Sequence, residues 1–71
     1  MPLTGNYSRD EDRIVSSIET LEGRFDVDSY FTLYWSFNAA YRKRNGVPDD
    51  IRARIGQVLM KYKEEFFSEP W

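Results

Sequence analysis

With no His and no Cys in this sequence, its carboxylates are the side chains best suited to hold a metal ion or to act as acid and base. They stand together at Asp10-Glu11-Asp12, Asp26-x-Asp28 and Asp49-Asp50. Paired carboxylates can bind divalent cations or share a proton. The first and third clusters open predicted helices, however, where negative charge offsets the helix dipole with no ligand needed. Asp26-x-Asp28 has the form of the minimal acidic pair of some metal-dependent transferases, but in so short a connector a turn followed by an N-cap explains it more simply. Missing imidazole and thiolate exclude the commonest catalytic and zinc chemistries. Three short helices also seldom enclose the ~300 Å³ a catalytic pocket needs. The sequence is therefore read as non-enzymatic, with no cofactor and no metal.

Cations offer a second chemistry. Arg42-Lys43-Arg44 is the one basic run, and with Trp35 and Tyr41 as stacking surfaces it has the makings of a phosphate grip. A helix-turn-helix reading adds Arg52 and Arg54 near the start of the third helix. Against it, cations in the last turn of a helix offset the dipole unaided. Asp49 and Asp50 would face phosphates at the groove, and the net charge is −2 with a pI near 5.0. Nucleic-acid binding through Arg42, Lys43, Arg44, Arg52 and Arg54 is kept as an alternative only.

The aromatic residues are the main clue. Five Tyr, five Phe and two Trp make up 17% of a 71-residue chain. A chain of this size buries only roughly 60% of the surface it exposes when unfolded, so its core holds few large rings. On a helical projection of the second predicted helix, Ser29, Thr32, Ser36 and Lys43 share a narrow polar stripe. Apolar and aromatic residues fill the remaining arc of about 260°, where an ordinary surface helix has an apolar stripe of about 100°. Two neighbouring helices cover about half a circumference, so part of this arc is expected to stay open. Tyr, Trp and Arg are enriched at interface hot spots. The expected centre of a protein-binding surface is Phe31, Tyr34, Trp35, Asn38 and Arg42. The end of the chain, Glu64-Glu65-Phe66-Phe67-Ser68-Glu69-Pro70-Trp71, interleaves acids with rings, and Phe67 and Trp71 join the candidate contacts. Trp71 sealing the end of the bundle is an equal reading.

These residues need elements to position them. Ser8 with Glu11 forms a capping-box pattern, Ile14, Ile18 and Leu21 follow at helical spacing beside Val15, and Gly23 suits a C-cap. This predicts a helix over 9–22. Asp28 as N-cap and Asn45-Gly46 as stop bound a second helix, over 29–44. Phe31, Leu33, Trp35 and Phe37 alternate with Tyr30, Thr32, Tyr34 and Ser36, which leaves an α+β alternative with a strand or hairpin at 25–37. Pro48, Asp49 and Asp50 suit a first turn, and Ile51, Ile55, Val58, Leu59, Tyr62 and Phe66 form one stripe of a third helix over 48–66. Gly56 lies inside this pattern, where close approach of another helix and a benign glycine are equal readings. The fold expected is all-α, a small three-helix bundle forming a single domain over 1–71, with an irregular lead-in at 1–7 and a tail at 68–71.

No apolar run approaches the ~20 residues that span a bilayer. The opening residues lack the basic and apolar regions of a secretory signal. Absent cysteines fit a reducing compartment. The expected setting is the cytoplasm, with no membrane association. The leading functional expectation is a non-catalytic module that binds a protein partner by occupying its surface, as small inhibitors, antitoxin-like proteins and phage proteins that block defence machinery do. The alternatives are a self-associating homodimer, since small domains gain stability by association, and the nucleic-acid regulator above.

Overall fold

The computed structural model describes residues 3–42 and 46–67. They form three helices, with no strand among the described residues. The fold is the all-α bundle that the hydrophobic spacing predicts.

Helix α1 is Tyr7–Gly23. Its N-cap is Asn6, whose side chain accepts from the Ser8 amide at 3.0 Å. The Ser8–Glu11 capping box is thus replaced by an Asn cap two residues earlier, and Ser8 and Glu11 both face solvent. The cause lies upstream: Thr4 and Gly5 are drawn onto Asp10, which fixes how the chain enters the helix. Gly23 is the last helical residue and is not left-handed. The exit is made by Arg24, in extended conformation, whose amide donates to Thr20 O at 2.8 Å.

Helix α2 runs over 27–40 in three parts: α-helical Val27–Phe31, π-helical Thr32–Ser36 and α-helical Phe37–Ala40. Its cap is Asp26, not Asp28: the carboxylate accepts from the Ser29 amide at 2.9 Å, and that bond leads in holding the Asp26 pKa below its ordinary value. In the π turn the Phe37 amide reaches back five residues to Thr32 O, the signature of one extra residue in the turn. Thr32, expected on a polar stripe, is buried, with its hydroxyl donating to Asp28 O at 2.8 Å. A local acceptor of this kind satisfies the hydroxyl without water. The strand or hairpin at 25–37 does not form. Buried residues recur as Tyr30, Leu33, Phe37 and Tyr41, at the spacing of a helix face rather than a strand's alternation. The helix ends at Ala40, ahead of the expected 44; Tyr41 has left helical geometry, and Lys43, Arg44 and Asn45 lie outside the described residues.

Helix α3 is Asp49–Phe67. Gly46 takes φ +75° on the approach, a conformation that glycine adopts without steric cost. Pro48 stands just before the first turn, its carbonyl accepting from the Arg52 amide at 3.1 Å.

Helix α1 packs against both others, and the π turn of α2 also touches α3. Ile14, Ile18, Leu21 and Leu33 are wholly enclosed, surrounded by Tyr30, Phe37, Tyr41, Val47, Ile51, Ile55, Val58 and Tyr62. The Tyr62 hydroxyl is satisfied by Leu21 O at 2.7 Å, joining α3 to the end of α1. The described part of the lead-in, 3–6, carries no helix or strand, and Leu3 within it is buried in the same core.

Candidate functional site

The five residues expected to centre a protein-binding surface are all exposed on α2 or just past its end. Trp35 keeps 63% of its surface in solvent, Tyr34 49% and Phe31 48%. Asn38 and Arg42 are exposed beside them. Burial of Tyr30, Leu33 and Phe37 in the core leaves the opposite face of α2 with no helix among the described residues to cover it.

A chain of rings links this face to the core. Tyr62 lies 5.3 Å from Phe25, and Phe25 lies 5.7 Å from Tyr30, centroid to centroid. Tyr30 stacks on Tyr34 at 5.7 Å and meets Phe31 edge-on at 6.0 Å. Phe31 in turn lies 6.3 Å from Trp35. These are separations at which aromatic pairs attract beyond simple area burial, so the exposed rings are held rather than loose. Asn38 is oriented by donating from its side-chain amide to Tyr34 O, one turn back.

Three hollows surround Trp35 and its neighbours. One of about 190 Å³ is lined by Trp35, Asn38, Ala39 and Arg42. A second, about 350 Å³, lies between Tyr30, Phe31, Tyr34 and Lys63. The third, about 550 Å³, opens between the lead-in and α2, with Leu3, Thr4, Trp35, Ser36, Ala39 and Ala40 around it. The structure thus brings together Trp35, Asn38 and Arg42 at one end, and Phe31 and Tyr34 at the other. Lys63 and the lead-in residues were not legible as members of the site. Their place depends on contacts between distant parts of the chain, which no local spacing reveals. Phe67 closes α3, but its side chain, and Trp71, lie outside the described residues.

Among the described residues, the basic residues of the phosphate-binding set do not gather. Arg54 is engaged with Glu22 through two hydrogen bonds, at 2.9 and 3.1 Å, which raise the pKa of the arginine and lower that of the glutamate. Arg52 lies with its guanidinium 5.7 Å from the centre of the Phe37 ring, and its Nη2 is buried with no hydrogen-bond partner among the described residues. Lys43 and Arg44 lie outside the described residues. Of the phosphate-binding set, Arg42 alone among the described residues lines a hollow with an exposed ring, Trp35.

The carboxylate clusters resolve into structural roles. Asp26 is a cap, paired at 3.6 Å with Arg24. Asp10 stands in the first turn of α1 as expected, but it is buried there, and accepts from the Thr4 amide and hydroxyl, the Gly5 amide and the Tyr41 hydroxyl. Burial by itself raises its pKa, but these four donors outweigh burial and hold it below the ordinary value. Among the described residues no three carboxylates converge as a metal site would require. No helix among them is long and apolar enough to cross a membrane.

No protein-family model, curated protein or solved structure matches the chain. What the α2 face offers chemically is ring surface, an amide, two cations and concave apolar space.

Proposed function

We propose that this chain is a non-catalytic protein-binding module, acting as an inhibitor or modulator by covering a partner's surface. Phe31, Tyr34, Trp35, Asn38 and Arg42 make the contact. The observation that carries the reading is that Phe31, Tyr34 and Trp35 stay about half or more exposed while the core is already closed without them. Large rings left in water cost free energy that folding does not recover, roughly 25 cal/mol for each Å² of apolar surface. Contact with a partner recovers it, and aromatic and Arg side chains at the centre of an interface carry most of the binding energy. A module of this kind needs no bond-making chemistry, only a held surface.

The test is capture of partner proteins from cell extract by the immobilised chain, compared with Trp35→Ala and Arg42→Ala. Both variants are expected to keep the wild-type far-ultraviolet circular dichroism and to lose capture. Wild-type capture by both variants overturns the reading.

A further inference from the structure

We propose that the partner segment recognised by the α2 face is acidic: an apolar or aromatic anchor flanked by Asp or Glu. This rests on the reading of that face as protein-binding and adds the chemistry of what it binds.

Charge is placed unevenly along the chain. No Asp or Glu stands between Asp28 and Asp49, a stretch that carries Arg42, Lys43 and Arg44. The rest of the chain holds all twelve acids and seven of the ten cations. A molecule of net charge −2 therefore carries an acid-free, cationic segment, and its exposed rings lie on that segment. Among the described residues no carboxylate lines any of the three hollows on the α2 face, whereas Arg42 lines one and Lys63 another. Neither Arg42 nor Lys63 has an ion-pair partner among the described residues, in contrast to Arg54, which is committed to Glu22. Two uncommitted cations at the ends of a ring-lined, concave face select carboxylates at matching ends of an apolar anchor. Such rim charges mainly set specificity and association rate, with the buried rings supplying affinity.

The same placement decides against the other occupants. A second copy docked symmetrically through this face repeats Arg42 and Lys63 on both sides, with no carboxylate among the described residues that line its hollows to answer them. Among the described residues the cations on the face are Arg42 and Lys63, with Arg54 paired to Glu22 and Arg52 against Phe37, fewer than a run of phosphates calls for.

Selection from a random-peptide display library on the full chain tests this. Every selected peptide is then tested against Trp35→Ala, and against the Arg42→Glu, Lys63→Glu double variant. The expected winners carry Asp or Glu around an aromatic or aliphatic core and fail to bind Trp35→Ala. They bind the double variant at least about tenfold more weakly, and lose affinity as salt rises. Winners that need Trp35 but are neutral or basic overturn the acidic partner and leave the binding surface standing. Winners indifferent to Trp35→Ala, or no winners, overturn both. Two parallel arms use an oligothymidylate and sedimentation velocity of the chain alone. Trp35-dependent binding of the oligonucleotide tighter than that of any selected peptide, or a dimer abolished by Trp35→Ala, also overturns the proposal.

Discussion

The Tyr41 hydroxyl donates to the Asp10 carboxylate across 31 residues of sequence, in a buried contact that ties the end of α2 to the start of α1. The same carboxylate holds Thr4 and Gly5, so one side chain fastens three parts of the chain. Burial and the bond to Asp10 raise the Tyr41 pKa.

The pair makes stability fall at both ends of the pH scale. Asp10 has a folded pKa below its unfolded value of about 3.8, so its contribution is present above that value and is lost as pH falls through the folded pKa. Tyr41 has a folded pKa above its unfolded value of about 10, so its contribution is complete below pH 10 and is lost as pH rises beyond it. Tyr41→Phe removes one donor to a buried charge and is expected to cost about 1.5–3 kcal/mol at neutral pH. Urea titrations across pH check this. The variant should lose less stability than wild type below pH 3.8 and above pH 10, with a residual alkaline loss from Tyr7 and Tyr30, whose pKa values are also raised.

Two glycines should respond in opposite directions to alanine. Gly5 has φ +88°, and a Cβ there would lie 3.2 Å from the backbone oxygen of Ala40. Gly5→Ala is expected to destabilise by about 1–2 kcal/mol, from the left-handed backbone alone, with the close approach adding to it. Gly56 is exposed on α3 with nothing within 4 Å of the Cβ position, so it does not serve close helix packing. Gly56→Ala is expected to stabilise by up to ~1 kcal/mol, which in a domain of this size raises Tm by about 4–8 °C. Thermal melts of the two variants check both signs.

The caps give a third prediction. Asn6→Ala and Asp26→Ala remove side chains that accept from helix amides, and each is expected to cost ~1 kcal/mol. Ser8→Ala, at the position that the capping-box pattern favours, should stay within ±0.5 kcal/mol. Equal losses in all three variants would contradict the observed start of α1.

Both caps lie two residues ahead of the positions predicted from sequence, for a physical reason. Asn6 and Ser8, like Asp26 and Asp28, are all good capping residues, and local pattern cannot choose between them. At α1 the choice follows from the Asp10 clamp, a tertiary contact. The helical stripes of α1 and α3 were legible because Ile14, Ile18 and Leu21, and Ile51, Ile55, Val58 and Tyr62, recur at a period that depends on no other part of the chain. On α2 the surplus of rings over what a small core can hide signalled that some stay exposed, whereas the projected polar stripe did not hold, since Thr32 is buried. The π turn was not legible, since residues that alternate in type over 30–37 carry no mark of an extra residue in the turn. Nor were Lys63 and Leu3 as neighbours of the rings, because the bundle brings them there from opposite ends of the sequence.

The division of the rings into structural and exposed sets gives the last prediction. Tyr30 is buried between Phe25, Phe31 and Tyr34, so Tyr30→Ala empties a core position. Large aromatic-to-alanine changes in cores cost about 3–5 kcal/mol. At about 0.05–0.15 kcal/mol per residue, that is a large part of what a domain of this size has in total. Trp35→Ala removes a larger ring from a position 63% exposed, and its effect on stability should stay within about 0.5 kcal/mol. Chemical denaturation of the two variants separates them. A loss of about 3 kcal/mol or more at Trp35 would place that ring in the service of the fold. A loss within the expected range at Trp35 beside a collapse at Tyr30 leaves the outer ring spared from folding, which is the condition for its use against a partner.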